Sequence, residues 1–399
     1  MYRLTNPWMN YAWGSVDLLP ALMGIRPDGR PVAEIWMGAH TAAPSSIEIG
    51  GHDVSLNDFI RRGPEQTLGD ETMKRFGPHL PFMMKFLAAD TPLSLQVHPT
   101  LEQAEEGYRR EAAAGIKPTD PTRNYRDSAH KPEMLYALTP FEMMCGFRPV
   151  NVIRELLEGL HVDGLAPILE SLDRPGPADA LRSALTELLT ADAGHQRSVT
   201  QAVVSSAQAR SEQRPEYLLL CELAEHYPND TGTVASLLLD YLRIQPGEAV
   251  FIGAGMLHSY VRGLGVELMA TSDNVLRAGL TSKHVDVNEV LRLVSFVPGA
   301  PRLLHPTHVG DTSSYIPPVP DFALWTYTPR SGPDDGAGST VEGPPTGARI
   351  AVCCAGRTTL TRQAERVDLE RGQAAFIPHT DGPFDIASTG TVAVAYNRH

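Results

Sequence analysis

The chain has 399 residues, 42% hydrophobic and 20% charged, a composition for ordinary folding and a length beyond what one hydrophobic core sustains, so two or three packed units are expected. Its formal charge of −13 argues against nucleic acid or an anionic membrane as the main partner, since both are held by clustered Lys and Arg. A phosphate ester would have to find a local basic pocket. The opening MYRLTNPWMNYAWGS lacks the basic-then-apolar build of a signal peptide, and no stretch approaches the roughly 18 apolar residues that span a bilayer, so a cytoplasmic location with no membrane contact is expected. Cys145, Cys221, Cys353 and Cys354 form no C-x-x-C pair, which leaves nitrogen and oxygen to hold any metal.

Residues 35–147 show short apolar runs broken by Gly, Pro and Asn, among them SSIEI, PFMMKFLAA and PLSLQVHP, the punctuation of a sandwich or barrel of short strands. Between them LEQAEEGYRREAAAG has helical spacing. Residues 150–244 change character: VIRELLEGL, PADALRSALTELLTAD, EYLLLCELAEHY and TVASLLLDYLRI repeat apolar positions every three or four residues, so this whole segment is expected to be helical, with turns at 173–177 and 228–232. At Gln245 the strand pattern resumes. PGEAVFI there and RGQAAFI near the end form a weak internal repeat, suggesting two copies of one β-fold. Residues 331–347, rich in Gly, Pro and Ser, read as a flexible linker or exposed loop.

In a strand alternate side chains share a face, so PLSLQVHP sets Ser94, Gln96 and His98 on one side and Leu93, Leu95 and Val97 on the apolar side that packs into the sandwich. A polar trio within an apolar element needs something to bind it. GMLHSY adds His258 and Tyr260, and HKPEM adds Lys131 and Glu133. Two imidazoles, a carboxylate and an amide oxygen, with one position left to water, would suit a catalytic zinc. The stretch from Gly265 to Lys283 mixes Glu267, Asp273, Arg277 and Lys283, a set able to hold a polyol and move its protons. Taken singly, Glu133 could instead pair with Lys131, and Arg277 with Asp273 four residues earlier. Trp36, like Trp13, reads most simply as a packing residue, and His40, His130, His284 and His379 as structural or exposed.

NYAWGS, AEIWMGAH, PLSLQVHP, HKPEM, GMLHSY and ATSDNVLRAGLTSKHVDV, in this order over about residues 10–290, resemble the signature segments of type I mannose-6-phosphate isomerases. The resemblance implies two cupin-like (RmlC-type jelly-roll) β-sandwich domains plus a helical domain, a mainly β fold with an α-helical insertion. On that basis residues 1–149 and 245–320 would form the catalytic cupin, 150–244 the insertion and 321–399 a second cupin-like domain. It places one zinc ion per chain on Gln96, His98, Glu133 and His258, and the family's active-site arginine on Arg277. Trp13, Lys85, Ser94, Lys131, Tyr260, Glu267, Asp273 and Lys283 would surround the sugar pocket. The last stretch holds His379 and no Gln-x-His, so no second metal is expected.

The activity implied is reversible isomerisation of mannose 6-phosphate to fructose 6-phosphate through an enediol, serving GDP-mannose and glycan synthesis or mannose catabolism. Arg277, Glu267 and Lys283 would be the catalytic groups, with Glu267 the first choice for the proton carrier and Lys283 or a zinc-bound water the alternatives. The sugar phosphate is the expected partner, and a monomer the expected state. Rival readings are a sugar-binding cupin that has lost the reaction and a metal-dependent cupin oxygenase or isomerase of another sugar phosphate. The proton-handling cluster argues against the first, and the amide ligand argues for zinc over the iron that oxygenases prefer.

Overall fold

The computed structural model describes residues 1–299, 301, 303–330 and 340–398. The strand Phe82–Ala89 is buried along its whole length, because both of its faces are covered. Phe82, Met84, Phe86 and Ala88 enter a core with Ile35, Val266 and Leu268, whereas Leu87 and Ala89 enter a second core with Leu135, Phe141 and Tyr260. A run without alternation is what a strand packed on both sides requires.

The first sandwich is built around the strand His258–Ala270. Its opening residues pair with Phe141–Phe147, and His258 also faces Gln96 of the short strand Leu95–Val97. From Gly263 onward the same strand pairs with Phe82–Ala89 on one side and Glu133–Ala137 on the other. It therefore passes from one sheet of the sandwich to the other. The crossing coincides with a register shift between Tyr260 and Arg262 and with Gly263 at φ 129°. A Cβ at Gly263 would lie 2.7 Å from Phe141 Cδ2 and 2.8 Å from the Pro140 carbonyl, so only glycine lets the strands approach there.

The expected helix near residue 101 is present as Leu101–Ala113, opened by a capping box in which Thr100 and Gln103 bond each other's backbone. Helices Val150–Glu158, Ala166–Ser171, Pro177–Thr190, Ala193–Gln208 and Pro215–His226 bury Leu156, Leu185, Leu220 and Leu223 against Leu95, Val97, Phe147 and Leu276 of the sandwich. The helical reading fails at its end. LDYLRI is a strand, Leu239–Ile244, paired antiparallel with Phe141–Phe147. A short apolar run carries no period that separates helix from strand, and the free edge of Phe141–Phe147 decides it.

The second sandwich stacks a seven-stranded sheet on the strands Thr340–Glu342, Asp385–Ser388, Arg357–Arg362 and Glu365–Glu370. Leu360, Leu369, Ala375, Ile377, Phe384 and Val394 fill the space between them. The other face of the larger sheet, with Leu324, Ile350, Val352 and Phe376, packs on the first sandwich. That sheet takes strands from both sides of residue 320, Thr307–Val309 and Thr312–Tyr315 as well as Ala323–Tyr327, and its edge is Tyr2–Leu4 from the start of the chain. The repeated strings do occupy matching places: PGEAVFI and RGQAAFI each turn at a left-handed glycine, Gly247 at φ 90° and Gly372 at φ 83°, into the strands Ala249–Ile252 and Ala374–Ile377. Of the Gly/Pro/Ser-rich stretch, residues 331–339 lie outside the described residues, and Thr340–Glu342 is a strand on Asp385–Ser388.

Replacing Gly263 with alanine should cost about 1–3 kcal/mol through strained φ and overlap with Phe141. Denaturant unfolding reads this directly, and an unchanged midpoint would show that the strand crossing does not depend on that glycine.

Candidate metal centre and active site

Glu133 opens its strand opposite Met269, His258 opens the long strand opposite Gln96, and His98 follows the strand that contains Gln96. The pairing brings together residues far apart in sequence. His98 Nε2 lies 3.3 Å from Glu133 Oε1 and His258 Nε2 lies 3.4 Å from Glu133 Oε2. Among the described residues this is the group of His, Cys, Asp and Glu side chains close enough to share a metal ion, with the ligand atoms within 4.8 Å of one another.

Each imidazole is aimed by its other nitrogen. His98 Nδ1 bonds the Asn274 carbonyl at 2.8 Å, and His258 Nδ1 bonds the Met256 carbonyl at 2.9 Å. A ring that donates from Nδ1 to a carbonyl presents a lone pair at Nε2. Burial pushes the His98 pKa down to about 4, against the opposing pull of Glu133, so this ring is neutral at physiological pH. Its Nε2 is buried with no hydrogen-bond partner, and it faces a carboxylate that can only accept. Lone pairs facing each other in the interior are costly unless a cation lies between them. This donor set fits a zinc ion.

Gln96 lines the same cavity, and its amide nitrogen donates to Ser94 Oγ at 3.3 Å. The oxygen end of that amide has no partner among the described residues, so Gln96 could supply a further ligand atom. Lys131 ion-pairs with Glu133. Burial pushes the Glu133 carboxyl up, but Lys131 beside it holds it well below the ordinary carboxylate range.

Beside this centre a chain of buried charge crosses the sheet. Lys85 Nζ lies 3.0 Å from Glu34 Oε1 and 2.6 Å from Glu267 Oε2. Trp36 Nε1 donates to Glu34 at 2.7 Å, and Tyr260 donates its hydroxyl to Glu267 at 2.7 Å. Strand register sets this up, with Lys85 opposite both Trp36 and Glu267. Burial raises the Glu267 pKa, and Lys85 only partly offsets it. Burial alone would lower the Lys85 pKa, but Glu267, Glu34 and Glu133 hold it above its usual value.

The cavity over these groups has a volume of about 270 Å³. Trp13, Lys131, Asp273, Arg277 and Lys283 line it with the residues above. Asp273 pairs with His40 at 3.3 Å instead of Arg277, and His40, with the charges of Arg126 and Lys131, holds its carboxyl below the ordinary range against burial. Neither Arg277 nor Lys283 makes an ion pair among the described residues, nor does Arg126 nearby. Burial, then the proximity of Arg126, lowers the Arg277 pKa, and burial with Arg277 and Arg126 lowers that of Lys283.

Of the residues expected here, Ser94 is not in the cavity wall; it holds Gln96. Leu93 departs from its expected apolar face and lines the cavity, while Leu95 and Val97 pack on the helices and not inside the sandwich. The strand begins only at Leu95, so alternation does not bind Leu93. Trp36, read as packing, lines the cavity as well, and sequence reasoning missed Glu34 and Tyr11, whose ring stacks on Trp13 at 5.8 Å, together with Arg126, which lines an adjoining cavity that shares Asp273. The even spacing of Glu34 and Trp36 in AEIWMGAH was the available signal.

The family model for the phosphomannose isomerase type I catalytic domain matches residues 1–150, and that for the mannose-6-phosphate isomerase cupin domain matches residues 342–397. Mannose-6-phosphate isomerase of Escherichia coli (strain K12) is 37% identical over 402 residues and that of Salmonella typhimurium 38% over 405, each alignment covering 100% of both chains. The chain belongs to the type I phosphomannose isomerase family. A crystal structure of mannose 6-phosphate isomerase from Salmonella typhimurium, bound to substrate and a zinc atom, superposes with a TM-score of 0.90 at 35% identity, covering 100% of each chain. The family match extends the cupin assignment to the second sandwich, whose strands from Arg349 onward fall in the matched range.

Removing an imidazole from this centre should abolish its grip on zinc. His98→Ala is expected to lose the metal on elemental analysis after desalting while unfolding as a cooperative unit, and full zinc occupancy would refute the ligand set.

Proposed function

We propose that this chain is a zinc-dependent mannose-6-phosphate isomerase that interconverts mannose 6-phosphate and fructose 6-phosphate, with Gln96, His98, Glu133 and His258 as the zinc ligands. The observation that carries the reading is the pair of imidazoles whose Nε2 atoms converge on Glu133 at the floor of a cavity that also holds Glu267 and Lys85. Bound zinc supplies a Lewis acid for the sugar oxygens near the reacting carbons.

Isomerisation moves a proton from C2 to C1 of the open-chain sugar through an enediol, so one group must take and return it. Glu267 suits this role. Burial raises its proton affinity, Lys85 keeps the carboxylate accessible as an anion, and the Tyr260 hydroxyl fixes the other oxygen. Tyr260 itself stays protonated, because burial and Glu267 hold its phenol well above the usual value. Lys283 is the alternative proton carrier.

Lys85 and Lys131 are each already committed to buried carboxylates, which makes them poor phosphate anchors and better partners for sugar hydroxyls. Arg277, Lys283 and Arg126 carry no such commitment, and their mutual repulsion favours a dianion among them. Arg277 stabilises negative charge on the enediolate, Lys283 and Arg126 take the phosphate, and Asp273 and Trp13 bind the sugar. The units 1–149 with 245–320, 150–244 and 321–399 act as catalytic cupin, insertion and second cupin, with the strand exchanges described above at their borders. The working state on this reading is a cytoplasmic monomer serving mannose metabolism.

A coupled assay of fructose 6-phosphate formation from mannose 6-phosphate should give turnover that a chelator abolishes and zinc restores; absence of turnover in the zinc-loaded chain would overturn the assignment. In the same assay Arg277→Ala should lower kcat/KM by about 10²–10³-fold, the usual loss of a charge-stabilising group, with zinc content unchanged. The acid limb of kcat/KM should fall at a pH above the ordinary glutamate value of about 4.3, since the raised pKa of Glu267 makes the basic form disappear earlier as pH drops.

A further inference from the structure

Asn274 is fully buried in the loop between the strands His258–Ala270 and Leu276–Gly279. Its amide is bonded at both ends. Oδ1 accepts the backbone N–H of Arg126 at 2.8 Å and of Asp127 at 3.2 Å, and Nδ2 donates to the carbonyls of Asp127 and Ala129, both at 2.8 Å. Asp127 returns the grip, accepting from Ser272 Oγ at 2.8 Å and from the Asp273 N–H at 2.7 Å. Two loops distant in sequence are thereby locked together, and the locked element ends in the Asn274 carbonyl that receives His98 Nδ1 at 2.8 Å.

The two histidines differ in this respect. His258 is aimed by the carbonyl of Met256, two residues away on its own turn. The aim of His98 depends on a carbonyl from a separate loop, and that loop also carries Asp273 into the cavity. We propose that Asn274 is a positioning residue for the metal centre, which makes zinc affinity depend on the same loop that presents Asp273 to the sugar. The inference rests on the zinc reading given above. The Asn274 side chain touches neither metal nor sugar; it fixes the carbonyl that fixes the ring, and groups in that position commonly change metal affinity by about 10–100-fold.

The test is zinc affinity of the full chain by competition with a chromogenic chelator. Asn274→Ala is expected to bind zinc about 10–100-fold more weakly than the parent chain. Asp127→Asn, which keeps the side-chain shape and removes one acceptor, should weaken it in the same direction by less, and serves if the alanine variant does not fold. Leu360→Ala, buried in the second sandwich, supplies a destabilised control expected to keep the parent affinity. Parent-like affinity in both Asn274→Ala and Asp127→Asn overturns the proposal, as does an equal loss in Leu360→Ala. A parent chain that takes up no zinc overturns the zinc reading itself, a failure visible before any variant is compared.

Discussion

The interaction on which the site depends is that of a buried carboxylate with two buried imidazoles. Glu133 is almost wholly buried, and the nitrogen atoms turned toward it carry lone pairs because their rings donate elsewhere. Near it Glu34 and Glu267 are buried too, and among the described residues Lys85 and Lys131 are the lysines that pair with these three carboxylates. The interior thus holds more negative than positive charge before any ligand arrives, a state that low dielectric makes unfavourable. A divalent cation removes the imbalance and satisfies the orphaned His98 nitrogen at once, so the requirement for metal is written into the protein's own electrostatics.

Holding that imbalance in place is a packing problem, and the second sandwich solves it. The strand that carries Lys85 has polar Lys85 on the cavity face and Met84 and Phe86 on the opposite face, packed in one core with Ile350 and Phe376. That core also takes Leu19, Leu22 and Leu56, so the C-terminal sheet and the N-terminal segment together cover the face opposite the lysine. The C-terminal unit therefore acts on the chemistry through packing. Its own interior is closed by Leu360, Phe384 and Val394, and its buried Arg349 is spent on the carbonyls of Pro345, Pro378 and Gly382.

How much of this could be read in the sequence follows from how local each feature is. Gln96 and His98 were legible because a strand alternates every two residues, and Glu133 and His258 through short strings that resemble a family. The partition of Lys85 was not, because its partners come from register: Glu34 lies 51 residues earlier and reaches Lys85 only across paired strands. Asn274 was invisible for the same reason, since its partners at Arg126 and Asp127 stand almost 150 positions away. The strand Leu239–Ile244 was misread because its apolar spacing fits both periods, and the exposed edge of a neighbour settled it. Tyr2–Leu4 joins the far sheet for a comparable reason, as the unpaired edge of Ala374–Ile377 is available to it.

The distribution of the remaining charge explains how one cavity can treat two ends of a sugar phosphate differently. The chain carries −13 overall, yet Arg126, Arg277 and Lys283 stand together without carboxylate partners among the described residues. Like charges held close raise the free energy of the empty pocket, and a dianion that settles among them relieves this repulsion. At the other end Lys85 and Lys131 are already neutralised, so they offer hydrogen bonds without competing for the phosphate. On the reading proposed above, the phosphate is drawn to this wall. On that reading the carbons to be isomerised would lie toward Glu267 and the His98–Glu133–His258 group, with charge setting the orientation before any hydroxyl is recognised.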